Sequence, residues 1–277
     1  MPHPPPPGHP RRGGTGVYPG AGVRTDSDAS PAEAASVPRE LPPSVREHLI
    51  RYRDLLLEWN QRHNLTALTT PEEVDARLVA ESLRLLPAID AYARERRDKT
   101  GRLRLIDIGS GAGVPGLILA IARPDLFATL VEATGKKVAF LDAAIADLGL
   151  DNVRAIHARA EDLARDPAHR ERYDLATARA VGPVPTLLEL ALPFLRVGGR
   201  ALFPKGPDLG TELAEGERAA KTLGGQLLSA DLLPDDPAWP DLPVTRLVVA
   251  AKLTRTPHRY PRRAGIPAKE PLGRVDR

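Results

Sequence analysis

From Leu103 onward the chain alternates short β-type runs with amphipathic helical stretches, and this alternation constrains its fold more than any other feature. The β-type runs fall at residues 103–108, 127–132, 153–157, 174–178, 200–204 and 244–253. Helical spacing of apolar residues occupies 114–122, 135–148, 184–195 and 211–223 between them. Such a pattern predicts βαβ units, hence an α/β domain with a mainly parallel sheet covered by helices on both faces. The last run follows a Pro- and Asp-rich loop, 233–243, that leaves no room for a crossover helix. It is therefore expected to pair antiparallel, within a terminal hairpin.

A smaller unit precedes the alternation. Residues 1–43 hold eleven prolines, including the run Pro4-Pro5-Pro6-Pro7-Gly8, and are expected to form a disordered arm. Ser44-Val45-Arg46-Glu47 has the form of a capping box opening a first helix, on which Val45, Leu49, Tyr52, Leu56 and Trp59 recur at helical spacing. Thr70-Pro71-Glu72-Glu73 signals a second start, and Pro87 is expected to break or kink that helix. The expected organisation is an arm over 1–43, a helical unit over 44–100, a main domain over 101–254 and a basic tail over 255–277. From Thr254 to the end there are seven Lys or Arg against Glu270 and Asp276, so the tail reads equally as a phosphate-contacting surface or a solvated terminus.

The chemistry concentrates just after the first run of the main domain. Asp107-Ile108-Gly109-Ser110-Gly111-Ala112-Gly113-Val114-Pro115-Gly116 is a strand end, a glycine loop and a helix start, the arrangement that brings backbone close to a nucleotide-like ligand. Gly111 to Gly116 also spells G-x-G-x-x-G, with Glu132 placed 21 residues after Gly111, so a dinucleotide-binding dehydrogenase stays open at this point. Asp107 weighs against it: a carboxylate at the strand end repels a pyrophosphate and suits a cationic ligand such as S-adenosylmethionine. Gly109 starts the glycine series early, and the chain supplies one sheet only. Glu132 ends the second β-type run, where it is placed to accept from ribose hydroxyls. Ala160-Glu161 after the third run is placed to border an adenine ring, and Arg179 after the fourth to clamp a carboxylate or phosphate.

Composition removes several classes. There is no cysteine, which excludes disulfides, thiol catalysis and cysteine-bound metal, and favours a reducing compartment. The seven histidines show no ligand spacing, so no metal is expected. No run is long and apolar enough for a membrane, and no signal core is seen, so a cytoplasmic chain is expected. Gly135-Lys136-Lys137 lacks the upstream glycine and following hydroxyl of a P-loop; its lysines read as a helix-start surface. The net charge of +3 is mild support for a polyanionic partner.

Taken in order, these stretches resemble the RsmG (GidB) family of small-subunit ribosomal RNA guanine-N7 methyltransferases. The resemblance runs from about Tyr52 to Leu272 and is carried by Leu56, Glu58, Trp59 and Asn60 with Asn64-Leu65-Thr66, then by the glycine loop ending in Pro115-Gly116. Lys136-Lys137-Val138, Phe140-Leu141, Arg159-Ala160-Glu161, Arg179-Ala180, Lys205-Gly206 and Tyr260-Pro261-Arg262-Arg263 with Gly265, Pro267 and Lys269 complete it. It implies a Rossmann-like class I S-adenosylmethionine-dependent methyltransferase, with a mostly parallel seven-stranded sheet, an antiparallel terminal strand and an N-terminal helical unit. Its implied cofactor pocket comprises Gly109, Val114, Glu132, Ala133, Thr134, Ala160, Glu161 and Arg179, to which the residues themselves add Asp107 and Gly111. The family's usual His–x–x–Asp–Ser–Leu stretch reads Leu78-Val79-Ala80-Glu81-Ser82-Leu83 here, without histidine and with Glu for Asp.

The implied substrate is 16S ribosomal RNA or the small subunit that carries it, methylated by a monomer without metal. Guanine N7 is an unprotonated lone pair, so the chemistry needs positioning more than a general base, consistent with the lack of any acid–base constellation. No catalytic residue is therefore assigned, and Arg179 is the orienting candidate. The other readings are a methyltransferase of this fold acting on another RNA or a small molecule, a cofactor-binding regulator without turnover, and the dehydrogenase above.

Overall fold

The computed structural model describes residues 37, 41–96, 102–235, 239–240 and 242–274. The expected disordered arm lies outside the described residues except for Val37 and residues 41–43; Val37 is buried in the core.

Three helices come first. Helix α1 spans Pro43–His63 and buries Val45, Leu49, Tyr52, Leu55 and Leu56. Its start corrects the expected capping box: Pro43 opens the helix, Pro42 is the cap residue, and no side chain caps it. Proline's fixed φ suits a first helical position, which puts Ser44 inside the helix. Helix α2 is α-helical over Pro71–Val74, widens to a π-helix over Asp75–Ala80 and returns to α over Glu81–Leu83. Here the expected start is present: Thr70 Oγ1 accepts from the Glu73 N–H at 3.2 Å, and Glu73 accepts from the Thr70 N–H at 3.2 Å. Pro87 sits in the first turn of a new helix, α3, over Leu86–Glu95, so the chain breaks where expected.

The main domain follows as β1 (Leu103–Ile108), α4 (Gly116–Ala122), β2 (Leu126–Glu132), α5 (Gly135–Asp147), β3 (Val153–His157), α6 (Ala160–Leu163) and β4 (Tyr173–Ala178). It continues with α7 (Val184–Ala191), a 3-10 turn over Leu192–Phe194, β5 (Leu195–Lys205), α8 (Glu212–Thr222), β6 (Gly225–Leu232), β7 (Arg246–Lys252) and α9 (Ile266–Lys269). The seven strands form one sheet in the order β3-β2-β1-β4-β5-β7-β6. Strands β1 to β5 pair parallel, whereas β7 pairs antiparallel with both β5 and β6. The last strand thus lies in the expected hairpin, but inside the sheet. Strand β6, absent from the six β-type runs, is the edge, and its half-exposed pattern explains its weak signal.

Period-2 alternation divides the apolar residues between two cores. Leu103 and Leu105 of β1 face a core shared with α1 to α5, while Ile106 and Ile108 face one shared with α6, α7 and α8. The N-terminal helices therefore cover one face of the sheet and reach the first loop, where Tyr52 donates its hydroxyl to the Ala112 carbonyl at 2.8 Å.

Candidate functional site

The loop between β1 and α4 folds on its glycines. Gly109, Gly111 and Gly113 have φ of +66°, +58° and +91°, a left-handed region that favours glycine. Gly116 is required for space: a Cβ there would lie 2.6 Å from Asp107 Cβ and 2.7 Å from Leu130 Cδ2. Gly116→Ala must push α4 off the sheet, and overpacking of this kind costs about 1–3 kcal/mol. A denaturant titration of that variant is expected to show a loss in this range, together with weaker ligand binding.

The loop's amides are largely committed. Those of Gly109 and Ser110 donate to the Val131 carbonyl at 2.8 and 3.1 Å, and those of Gly113 and Val114 to the Ser110 carbonyl at 2.7 and 2.9 Å. Gly111 donates to Glu132 Oε2 at 3.0 Å and Gly116 to Asp107 Oδ2 at 3.1 Å. A pyrophosphate would need several of these free. The geometry thus disfavours the dehydrogenase reading that the motif alone left open.

Beside the loop, at the carboxyl ends of β1, β2 and β3, is a cleft of about 320 Å³. Gly109, Glu132, Ala133, Thr134, Ala160 and Glu161 all line it, so six of the ten expected positions converge there. Glu132 is its best-held polar group. It is 7 % exposed, and its second oxygen accepts from the Thr134 N–H at 2.8 Å. The remaining lone pairs of that carboxylate are available to hydroxyl donors. Glu161, also 7 % exposed, accepts from the Gly265 N–H at 2.8 Å.

Four expected positions lie off this wall. Asp107 has the parity of Leu103 and Leu105, so its carboxylate turns to α4 and away from the cleft. It is fully buried and accepts the Thr177 hydroxyl at 2.8 Å as well as the Gly116 amide. Burial pushes it up to about 6, with Thr177, Gly116 and Ser110 pulling the other way. Since the folded state then holds its proton more tightly than the unfolded chain, this group's contribution to stability falls as pH rises from about 4 to about 6. Asp107→Asn can serve both partners and is expected to remove this part of the pH slope in thermal scans across that window. Gly111 acts from behind, through Glu132. Val114 is buried with the helical-side core. Arg179 is held by Glu81 of α2, with Nη2 and Oε2 2.6 Å apart.

Sequence reasoning missed the opposite wall. Val181, Thr186 and Leu190 contribute to it, as do Gly265, Pro267 and Ala268 from the segment read as a tail. That segment is docked among the described residues. Arg262 binds Glu189 of α7 through Nη2–Oε2 at 2.7 Å and Nε–Oε1 at 3.0 Å, and Thr186 donates to the Pro267 carbonyl at 2.8 Å. Arg170 donates to the Tyr260 and Thr256 carbonyls at 2.9 Å each. Only Gly265 followed by Pro267 hinted at a turn there. Among the described residues, no helix is long and apolar enough to cross a membrane.

The model of the GidB family, described as rRNA small subunit methyltransferase G, matches residues 45–235. The ribosomal RNA small subunit methyltransferase G of Roseiflexus castenholzii is 45% identical over 226 residues, covering 82% of this chain and 91% of that protein. The protein of the same name from Alkaliphilus oremlandii is 38% identical over 84% of this chain and 93% of its own length. The one from Clostridium beijerinckii is 39% identical over 88% and 98%.

Proposed function

The chain belongs to the GidB family of small-subunit ribosomal RNA methyltransferases, and from that premise we propose that it transfers a methyl group from S-adenosylmethionine to N7 of a guanine in 16S ribosomal RNA. The observation that carries the cofactor assignment is Glu132, a buried carboxylate anchored by two amides at the rim of a cleft whose neighbouring walls are small and apolar. Ala133, Ala158, Ala160, Leu190 and Pro267 form a slot suited to a flat heterocycle. Glu132 and Glu161 give the slot an acidic lining that suits a cationic donor.

In this reading Glu132 holds the ribose hydroxyls, and the Ala133-Thr134 and Ala160-Glu161 segments flank the adenine. Gly109 keeps the floor open, since a Cβ there would come within 2.8 Å of Val181. Gly111 and Asp107 act one step away: Gly111 fixes Glu132, and Asp107 fixes the start of α4. Val114 packs under the loop, and Arg179, aimed by Glu81, orients either the donor's carboxylate or an RNA phosphate at the cleft mouth. When bound, the donor would supply an electrophilic methyl on sulfur, which would pass to the N7 lone pair while the S–C bond pair stays on sulfur. No proton moves, so the site needs only to orient its reactants.

Finer points of the proposal are a single copy of the chain, no metal and a cytoplasmic setting. The test uses purified protein, labelled methyl donor, and naked 16S RNA beside intact small subunits that lack the modification. Label recovered as 7-methylguanosine is the expected result. Donor binding without transfer, label on another base, or binding of NAD(P) would each overturn the reading.

A further inference from the structure

The far end of the sheet carries a charge excess that the site does not use. Three depressions adjoin one another along the amino ends of the strands, sharing Arg104 and Phe127 between two of them and Glu171 and Arg172 between the next two. Together they are lined by nine arginines against three carboxylates, Asp151, Glu171 and Asp174. Part of the excess is structural. Asp174, 4 % exposed, takes Arg196 at 2.6 Å, and Glu171 takes Arg255 at 3.4 Å.

Arg96 also reaches Asp174, at 3.8 Å, and Arg165 and Arg170 donate to backbone carbonyls of the segment after β7, which leaves four arginines. Arg102, Arg104, Arg154 and Arg172 are exposed, and none has a carboxylate within salt-bridge distance among the described residues. They are instead held in place by neutral groups. Arg102 lies over the Phe127 ring at 4.8 Å and Arg104 over the Tyr173 ring at 5.2 Å. Arg154 Nε donates to Thr129 Oγ1 at 3.1 Å, and Arg172 Nε to the Pro167 carbonyl at 3.2 Å. Each is exposed and has further N–H donors without a partner among the described residues. The sheet order β3-β2-β1-β4 sets Arg154, Phe127, Arg102 with Arg104, and Arg172 side by side, across about 14 Å at the usual strand spacing.

We infer that this amino edge of the sheet is a second RNA-contacting surface, which binds phosphates of the ribosomal RNA remote from the nucleotide being methylated. Guanidinium groups suit phosphate because their planar donors match two oxygens at once. Pre-positioning on Phe127, Tyr173 and Thr129 lowers the ordering cost of each contact. The edge lies about 20 Å from the cleft, given the rise of the β1 strand. RNA that touches both must therefore be folded and bulky enough to embrace the domain, which a short target oligonucleotide is not. The inference rests on the reading of the chain as a ribosomal RNA methyltransferase, but its test does not depend on turnover.

The triple variant Arg102→Gln, Arg154→Gln, Arg172→Gln should be compared with wild type in filter binding to full-length 16S RNA over a salt series. The expected result is affinity lower by roughly tenfold or more at 0.1 M salt, and a salt slope reduced by about two, since each lost phosphate contact removes about 0.7–0.9 from it. The double variant Arg46→Gln, Lys221→Gln, on α1 and α8, shows what loss of charge does without contact and is expected to stay within threefold of wild type. Unchanged donor binding in the triple variant verifies the fold. A triple variant with wild-type affinity and slope would overturn the inference, as would an equal loss in the double variant. A measurement without variants guards against misfolding: ultraviolet crosslinking of the wild-type protein to the same RNA should mark peptides carrying Phe127 or Arg154. Adducts confined to the carboxyl side of the sheet would also overturn it. Wild-type protein that binds RNA at this edge yet transfers no methyl would sink the proposed function and leave the surface standing.

Discussion

Replacing Arg262 with alanine is expected to lower the thermal unfolding midpoint by about 6–12 °C. Glu189, on α7, is fully buried, and its carboxylate is satisfied by the Arg262 guanidinium and by the Arg262 backbone N–H at 2.8 Å. Removing one partner of a buried pair strands the other, at a cost of about 3–5 kcal/mol. Arg262 is 26 % exposed in its side chain, so water can reach part of the gap and the lower end of that range applies. At about 2–4 °C per kcal/mol for a domain of this size, that gives the stated shift. The same variant should bind donor more weakly, because Arg262 ties down the segment that brings Gly265, Pro267 and Ala268 to the cleft. Adding Glu189→Gln removes the stranded charge and is expected to restore part of the midpoint. A single variant that melts within 2 °C of wild type would show that the pair does not anchor this wall.

Glu132→Ala is expected to weaken S-adenosylmethionine binding about 100-fold, equivalent to about 2.8 kcal/mol. Two effects combine. The alanine removes the acceptor proposed for the ribose hydroxyls, and it releases the amides of Gly111 and Thr134, so the glycine loop and the β2 end lose their shared clamp. Hydrogen bonds to a charged acceptor contribute about 1.5–3 kcal/mol each, but water can replace some of this at a rim. Glu132→Gln keeps the shape yet turns an NH2 toward one of the two amides, and should cost about tenfold. Calorimetric titration of donor into each variant, with midpoints measured alongside, separates the binding loss from any loss of fold. An alanine variant that binds within threefold of wild type would remove Glu132 from the site.

Much of the main domain was legible because its strands are short and buried and its helices amphipathic. Strands β1 and β3 fall within their expected bounds, and α4, α5, α7 and α8 differ from theirs by only a few residues, mostly at the ends, where helices fray. Thr70 caps its helix as its spacing predicts, since all the groups involved lie within four residues of one another. Ser44 does not, because Pro43 next to it is the better first residue. Strand β6 was hidden because an edge strand exposes half its side chains and carries little apolar pattern.

The site divides along the same line. Glycine placement, the acid ending β2 and the Ala160-Glu161 pair could be read from the chain, because a strand–turn–helix crossover places its own residues at the carboxyl end of the sheet. Asp107 could be located at that strand end, but its direction depends on which face of β1 each parity covers, and that is set when α1 to α5 pack on one side. The Glu81–Arg179 and Glu189–Arg262 pairs join residues 98 and 73 positions apart, and no local rule proposes either. Local spacing by itself determined most of the elements of the main domain, the glycine loop and the rim acids. Tertiary packing alone decided which carboxylate faces the cleft, which arginine is held by which acid, and that the basic segment after β7 closes over the site, because charges meet their partners only after the sheet has assembled.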